Sequence, residues 1–478
     1  MQQHNYNVHP NSKVVPGSSL VNMLTSFSGY PEWLPEDRLV EQSFIDLVRK
    51  KFELFGFGPI ETRAIEPVST LLAKGETDKE IYVLRRLQAS DGEPDQDIGL
   101  HFDLTVPFAR YVIENKNRLM FPLRRYQVQK AWRGERPGLG RFREFLQADM
   151  DIVAEGSLSI YHDLEIIQAL NEILASLPIP EVRIFINNRK LLEGFYRAIG
   201  ITAIAESLRI VDKLAKIGEK QVYQSLVQDL GLSGDVAIKC LELGQVVTQN
   251  PSDLSNSIQS LGVKHELFDE GLYEINYILN ACSKQKRNSV YADLSIVRGL
   301  DYYTGTVCEA KFVQFPKYPT VAAGGRYDSL VSDESVKLPG VGVSLGITRI
   351  LGLVLHEGIL SASRKTPTCA LVALVSDETR GKSLKVASAL RDRGIPCEVY
   401  PNPLKYGKQI KYAERLGIPY VWFPSETVDG VDEVRDIRSR VQVAANADTW
   451  MPPSEDLAVQ VHSNSAILAS VLKKPSYR

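Results

Sequence analysis

Apolar residues recur every three or four positions after Glu36, which is the spacing of one face of an α-helix. These residues are Leu39, Phe44, Ile45, Leu47, Val48, Phe52 and Leu54. Gly56 follows, and glycine commonly marks the end of a helix. The pattern predicts an amphipathic helix, preceded by a mostly polar arm over residues 1–33. Residues 81–87 and 98–104 then flank a turn-forming stretch, which predicts a β-hairpin.

Polar and apolar residues alternate between residues 123 and 153, on both sides of a loop at 135–140 that contains proline and glycine. A period of two predicts two β-strands that share one polar face. The residues of this face are Arg125, Gln127, Gln129, Arg133, Arg141, Arg143, Phe145, Gln147, Asp149 and Asp151. A hairpin with one face in solvent gives the same alternation. Arginine, glutamine and aspartate around an aromatic ring, however, favour a floor that binds an anion at one end and a polar ligand at the other.

Helical periodicity dominates residues 187–288, which predicts an inserted helical domain. From residue 367 to 478, strand-like runs alternate with helical segments, and this order predicts a small α/β domain. Residues 34–186 and 289–362 then form two parts of one core, and the fold class is α+β. In the second part a strand leads into a helix with Arg349 in its first turn. Because a cation there opposes the helix dipole, we expect Arg349 to be kept for an anionic ligand.

Two short segments combine tyrosine with arginine, aspartate and glycine: Val297–Gly305 and Gly324–Asp328. Tyrosine hydroxyls and a planar cation suit a pocket for a small polar molecule. A pair of turns at strand ends, with tyrosines that are satisfied internally, is the alternative. The sequence contains no P-loop or dinucleotide-binding glycine motif, so a bound nucleotide would be held by side chains.

The composition excludes several classes of protein. The 478 residues include 56 basic and 58 acidic ones, a net charge of −2, and 44% are hydrophobic. These values exclude a disordered tail, a collagen and a membrane channel. No uncharged stretch is long and apolar enough for a membrane helix, and the polar start lacks the pattern of a signal peptide. We therefore expect a cytoplasmic protein that does not contact a membrane. The five scattered cysteines predict reduced thiols rather than a metal site.

A nucleic-acid partner would need a local basic surface, because the overall charge is nearly neutral. Residues 380–415 contain nine basic and three acidic residues, a local net charge of +6. An ordinary solvated helix face is the alternative interpretation.

Together these segments resemble the histidyl-tRNA synthetases, a family of class II aminoacyl-tRNA synthetases, from about residue 36 to residue 440. Residues 298–305 (RGLDYYTG) resemble the histidine-binding signature of the family, residues 132–145 its motif 2 and residues 342–349 its motif 3. The resemblance implies an antiparallel sheet flanked by helices as the catalytic core, with a helical insertion and a C-terminal α/β anticodon-binding domain. Arg63 stands where motif 1 of the family has a proline.

The resemblance also implies roles for single residues. Arg298 and Arg133 would be catalytic. The implied histidine-binding residues are Asp103, Thr105, Gln147, Asp151, Tyr302, Tyr303 and Tyr327. The implied ATP-binding residues are Arg133, Glu135, Arg141, Phe145 and Arg349. No residue is implied as a metal ligand, and Mg²⁺ would act together with ATP.

The implied activity joins L-histidine to tRNA(His) with ATP, in a homodimer. The main alternative is a catalytically silent relative of these enzymes that binds histidine as a regulatory subunit, such as the partner of ATP phosphoribosyltransferase. That class typically lacks the C-terminal domain and loses the arginines, whereas this chain has the basic C-terminal segment together with Arg133, Arg298 and Arg349. A module that senses uncharged tRNA is a third interpretation.

Overall fold

The computed structural model describes residues 27–72, 80–86, 97–297, 302–331, 337–427 and 430–472. Residues 1–26 of the predicted arm therefore lie outside the described residues. In the described part of the chain the α-helices are α1 (Pro35–Leu54), α2 (Val68–Leu71), α3 (Thr105–Asn115), α4 (Ile160–Ser176), α5 (Arg189–Ala198), α6 (Ile204–Val211), α7 (Leu214–Ile217), α8 (Glu219–Gln228), α9 (Gly234–Gly244), α10 (Pro251–Ser260), α11 (Glu266–Cys282), α12 (Ile347–His356), α13 (Arg380–Asp392), α14 (Tyr406–Leu416), α15 (Ser454–Leu457) and α16 (Ser465–Leu472). None of the helices described here is long and apolar enough to cross a membrane.

The strands of the same ranges are β1 (Gly58–Pro59), β2 (Ile65–Pro67), β3 (Val83–Leu84), β4 (Ile98–Leu100), β5 (Leu123–Trp132), β6 (Glu144–Val153), β7 (Val182–Asn188), β8 (Val247–Thr248), β9 (Val290–Asp293), β10 (Thr306–Phe312), β11 (Ala322–Tyr327), β12 (Gly340–Gly346), β13 (Leu360–Ala362), β14 (Ala370–Val372), β15 (Cys397–Val399), β16 (Tyr420–Phe423), β17 (Asp432–Asp436), β18 (Gln442–Ala445) and β19 (Val461–Ser463). They form sheets of nine, five, three and two strands. This mixture of a large sheet with helices confirms the predicted α+β class.

The largest sheet has the strand order β1-β5-β6-β12-β11-β10-β7-β9-β8. From β5 to β7 every neighbouring pair in this order is antiparallel. The register of β5 and β6 places Arg125 opposite Asp151 and Gln127 opposite Asp149. The two predicted strands are therefore confirmed, with a common polar face that contains Arg125, Gln127, Gln129, Gln147, Asp149 and Asp151. Arg133, Arg141 and Arg143, which were predicted on the same face, lie outside the two strands, because β5 ends at Trp132 and β6 begins at Glu144.

Helix α1 buries one face against the core. Val40, Phe44 and Phe52 are almost fully buried, and the Phe52 ring stacks on Tyr126 of β5 with ring centroids 5.3 Å apart. Pro35 and two acidic residues occupy the first turn, where a fixed backbone angle and negative charge favour a helix start. The amphipathic helix predicted from the spacing is confirmed.

The predicted hairpin over residues 81–104 is shorter than expected. β3 and β4 pair antiparallel, but β4 ends at Leu100, and residues 87–96 lie outside the described residues. The chain turns into α3 because Asp103 Oδ1 accepts a hydrogen bond from the Val106 amide, at 3.1 Å, which satisfies one of the open amides of the first helical turn. The expectation of extended chain up to Leu104 was therefore wrong.

Helices α5 to α11 follow β7, as the helical periodicity predicts, and the exact boundaries of a domain at 187–288 stay a prediction. α5 and α11 cross with their backbones almost in contact. A Cβ atom at Gly194 would lie 2.3 Å from the Phe268 nitrogen, and one at Gly271 would lie 2.3 Å from the Leu191 nitrogen. Only glycine permits so close a crossing.

The C-terminal region has a five-stranded sheet in the order β15-β14-β16-β17-β18. β14 is parallel to both of its neighbours, whereas β16, β17 and β18 pair antiparallel. Val386 of α13 and Ala413 of α14 belong to two separate apolar clusters of this region. The chain then returns to the core, because β19 pairs with β13, and Ile467 and Leu468 of α16 pack against the main apolar cluster.

Candidate active site

One cavity of about 270 Å³ brings together most of the residues that the sequence singled out. The predicted site residues on its wall are Asp103, Thr105, Arg133, Phe145, Gln147, Asp151, Tyr302, Tyr303, Tyr327 and Arg349. Glu135 and Arg141 do not line the cavity. Arg298, the predicted catalytic arginine of the signature, lies outside the described residues.

Asp151 of the cavity wall belongs to a buried ion pair. The Arg125 guanidinium is fully buried, and its Nη2 lies 2.6 Å from Asp151 Oδ2. The Tyr327 hydroxyl donates a hydrogen bond to Asp151 Oδ1 at 2.7 Å, so both oxygens of this carboxylate are engaged. Arg125 also lies over the Phe108 ring, with 4.1 Å from the guanidinium carbon to the ring centroid. Sequence reasoning gave Arg125 no role, although its place on the polar face of β5 was the available signal.

Gly342 of β12 lets the Asp151 carboxylate reach this position. A Cβ atom at Gly342 would lie only 2.0 Å from Asp151 Oδ1. Any larger residue would displace the carboxylate, and with it the hydrogen bond from Tyr327.

Two buried acceptor atoms on the cavity wall have no hydrogen-bond partner among the described residues. They are Gln147 Oε1 and Asp149 Oδ1. The amide nitrogen of Gln147 donates to Ser344 Oγ at 2.6 Å, which fixes the orientation of its side chain. Because unpartnered buried acceptors are rare, the cavity is suited to a ligand that brings N–H donors.

Burial sets the protonation states in the cavity. It raises the pKa of Asp149 to about 7; the Arg125 guanidinium lowers this pKa, while the neighbouring carboxylates of Asp151 and Asp103 raise it. Burial also raises the pKa of the Tyr303 and Tyr327 phenols well above their usual value. Both phenols are therefore protonated at neutral pH and can donate hydrogen bonds.

Two arginines, Arg133 and Arg349, line the cavity. Arg133 Nε donates to the Phe102 carbonyl at 3.0 Å, and its guanidinium carbon lies 5.1 Å from the centroid of the Phe145 ring. Arg349 donates from Nε to the Gly140 carbonyl at 2.8 Å and from Nη1 to the Thr320 carbonyl at 2.7 Å. These bonds hold both cations in fixed positions on the cavity wall. Arg349 does lie in the first turn of α12, as expected.

The remaining pair of predicted ATP ligands lies in the loop between β5 and β6. Arg141 Nη1 is 4.0 Å from Glu135 Oε2, and the Arg141 side chain is 58% exposed. The alternation that predicted the strands carries no information on the path of this loop. The contact of these two residues with ATP stays a prediction.

Comparison with known proteins supports the interpretation of this cavity as an active site. A family model described as histidyl-tRNA synthetase matches residues 29–350, which is more than half of the chain and includes the whole described cavity. The chain belongs to the histidyl-tRNA synthetase family. A second family model, described as an anticodon binding domain, matches residues 368–449.

Members of the family resemble this chain over nearly its whole length. The histidine–tRNA ligase of Cutibacterium acnes is 49% identical over 444 residues, which cover 91% of this chain and 98% of the relative. The histidine–tRNA ligase of Clostridium tetani is 38% identical, over 91% of this chain and 97% of the relative. The crystal structure of histidyl-tRNA synthetase from Nostoc sp. PCC 7120 superposes with a TM-score of 0.79 at 32% identity, covering 89% of this chain and 97% of that one.

Proposed function

We propose that this protein is a histidine–tRNA ligase, which activates L-histidine with ATP and transfers it to the 3′ end of tRNA(His). The observation that carries the proposal is that one cavity is lined both by buried acceptors without a partner among the described residues and by anchored arginines. An amino acid brings N–H donors, and ATP brings phosphates. The family membership and the identity to enzymes of this name support the assignment.

The substrate's ammonium group is held by Asp103 and Thr105 in our proposal. The imidazole lies among residues that can match both ring nitrogens, because tyrosine hydroxyls and carboxylates supply donors as well as acceptors. These residues are Gln147, Asp151, Tyr302, Tyr303 and Tyr327. Buried polar groups of this kind reject amino acids that leave them unpaired.

The histidine carboxylate attacks the α-phosphorus of ATP in line. A bond from a carboxylate oxygen to phosphorus forms while the bond to the bridging oxygen breaks, and pyrophosphate leaves. Arg133 and Arg298 stabilise the charge on the α-phosphate, and Arg349 holds the outer phosphates. Phe145 stacks on the adenine, and Glu135 and Arg141 close over the nucleotide from their loop. A ribose hydroxyl of the tRNA then attacks the adenylate carbonyl, and AMP leaves.

Mg²⁺ enters with the phosphates of ATP in this proposal. The described residues include no group of three or more His, Cys, Asp or Glu side chains that could hold a metal ion. The chain therefore offers no described cage for the ion, and its charge would be balanced by the substrate phosphates. None of the steps assigned to the side chains passes through it.

The tRNA partner is held in part by the C-terminal region, which matches the anticodon-binding family. Four of its exposed basic residues follow one face of α14 and have no partner among the described residues; this basic stripe consists of Lys405, Lys408, Lys411 and Arg415. Other cations of the segment bind the region's own backbone: Arg391 donates to the Cys397 carbonyl and Arg393 to the Trp450 carbonyl. The basic stripe therefore remains open to phosphates.

We also propose a homodimer that acts in the cytoplasm, where tRNA is charged. Three exposed apolar side chains lie on or beside the small sheet of β2, β3 and β4: Ile65, Leu72 and Val83. A second copy of the chain would cover them. Sedimentation at micromolar concentration should give about twice the mass of 53.4 kDa, and a fully active monomer would refute this assembly.

Histidine-dependent exchange of pyrophosphate into ATP tests the proposed activity. The protein should catalyse this exchange with histidine alone among the amino acids, and Arg298→Ala should lower the rate by roughly a hundredfold, as for loss of one positioned donor. A regulatory subunit would bind histidine without any exchange. That result would replace the proposed function with the alternative.

A further inference from the structure

Asp149 is a buried carboxylate of the cavity to which the resemblance gives no role. It lies on β6 two residues before Asp151, opposite Gln127 of β5 and Ser344 of β12. The residue is only 2% exposed and lines the cavity. Its Oδ1 has no hydrogen-bond partner among the described residues.

The carboxylates of Asp149 and Asp151 differ in whether both of their oxygens have a partner within the protein. Asp151 already accepts the Tyr327 hydroxyl at one oxygen and lies against the Arg125 guanidinium at the other. Arg125 in turn also donates to the Gln127 side chain at 3.2 Å. The charge of Asp151 is thus matched within the protein, whereas Asp149 keeps an oxygen without a partner among the described residues.

We propose that Asp149 is a specificity-determining residue, whose Oδ1 accepts a hydrogen bond from an imidazole N–H of bound histidine. The assignment rests on the proposed function. Asp151, with Arg125 and Tyr327 fixed to it, then forms the rigid wall beside this contact. An amino acid of similar shape without a ring N–H would leave the Asp149 carboxylate buried and unpaired, which disfavours its binding.

Because Asp149 is buried, its replacement should affect protein stability and histidine binding differently, depending on whether its role is to bind the ligand or to support the fold. In the ligand-free protein, burial disfavours the charged form of Asp149, whose pKa is raised to about 7. The groups that face it are Arg125 and Gln127 of β5, Asp151, Ser344 and Asp103. Replacing the carboxylate with a neutral group of equal size should therefore stabilise the empty protein above pH 7 and weaken histidine binding. A residue that only supports the fold would change stability and binding in the same direction.

Asp149→Asn tests the proposal, because it should increase the stability of the ligand-free protein and decrease its affinity for histidine. At saturating ATP, the KM for histidine in pyrophosphate exchange should rise tenfold or more, while the KM for ATP stays within twofold. The preference for histidine over β-(2-thienyl)alanine, in kcat/KM, should fall by a similar factor. The melting temperature of the ligand-free variant at pH 8 should rise by roughly 2–4 °C. Asp149→Ser, which also removes the charge, should lose histidine affinity in the same way.

Asp456→Asn is the matched control, because Asp456 is 7% exposed and paired with Arg438 in the C-terminal region, away from the cavity. It should lower the melting temperature and leave the KM for histidine unchanged. An unchanged histidine KM in Asp149→Asn, or a fall in its melting temperature together with weaker binding, would overturn the proposal. If the unmodified protein shows no histidine-dependent exchange, the proposed function fails instead, and the histidine assignment of Asp149 fails with it.

Discussion

The cavity floor and the basic stripe both present charged groups to a ligand, but in opposite settings. At the cavity, Asp151 is 4% exposed and is paired with Arg125, which is fully buried and does not itself line the cavity. On the stripe, the cations of α14 are exposed and have no partner among the described residues. A charge buried without a partner costs several kcal/mol, whereas an exposed ion pair contributes about 0–1 kcal/mol and is screened by salt.

This difference indicates how the two ligands are recognised. A floor of buried, oriented groups accepts one small molecule and rejects those that leave an atom unpaired. A row of exposed cations attracts any polyanion, and its strength depends on the number of phosphates and on salt. Selectivity for the amino acid should therefore depend on the floor, and affinity for the RNA on the stripe. The following experiments test whether amino-acid selectivity and RNA affinity depend on separate regions or are coupled.

Removal of Arg133 should have the largest effect. Arg133→Ala deletes a cation anchored on the cavity wall, and histidine-dependent exchange should fall by roughly 10²–10³-fold. Lys130→Ala is the control, because Lys130 is exposed and pairs with Glu144 outside the cavity. Exchange in the control should be nearly normal. Exchange within tenfold of normal in Arg133→Ala would remove this residue from the chemistry.

Neutralising the basic stripe should affect only the second half of the reaction. The quadruple change of Lys405, Lys408, Lys411 and Arg415 to glutamine should lower kcat/KM for tRNA charging on the order of a hundredfold at low salt, because up to four phosphate contacts are lost. The charging rate of the variant should also depend less steeply on salt. Pyrophosphate exchange by the same variant is the internal control, and an equal loss there would mean that the stripe is needed for the fold.

Tyr327→Phe tests whether the hydrogen bond from Tyr327 to Asp151 contributes to histidine binding. Without its hydroxyl, Asp151 loses the 2.7 Å hydrogen bond, and one buried acceptor is left unsatisfied, at a cost of about 1–2 kcal/mol. The KM for histidine should rise roughly tenfold. Tyr126→Phe is the matched control, since Tyr126 is also buried and bonded to a carboxylate, Glu53, but does not line the cavity. A similar rise in the control would indicate a general loss of packing.

The pH dependence of stability tests the burial of Asp149 in the ligand-free protein. Because burial raises the pKa of Asp149 to about 7, the native protein keeps a proton that the unfolded chain releases near pH 4. The free energy of unfolding of the ligand-free protein should therefore fall as the pH rises from about 4 to about 7, and Asp149→Asn should reduce this slope. Denaturant unfolding at pH 5 and pH 8 measures this change in the free energy of unfolding. An identical change in the unmodified protein and in Asp149→Asn would show that Asp149 does not titrate in this range.

The periodic parts of the chain could be predicted, because burial imposes a simple repeat. The spacing of α1 and the alternation in β5 and β6 both follow from one buried face. Features that depend on single atoms or on register could not be predicted in this way. The hydrogen bond that Asp103 accepts from the Val106 amide at the start of α3 depends on one side-chain oxygen, and the loop position of Arg141 follows no repeat. The open oxygen of Asp149 becomes visible only when β5, β6 and β12 are aligned.

The pairing of β19 with β13 has a consequence for synthesis of the chain. β13 is made about a hundred residues before β19, so at 5–20 residues per second it waits roughly 5–20 s on the ribosome for its partner. Until then the core carries an open strand edge, which is a site for wrong pairing. A chain whose translation stops before β19 keeps that edge open, whereas synthesis of β19 closes it. Protection of this edge of the core therefore depends on a strand that is synthesised after the whole C-terminal sheet.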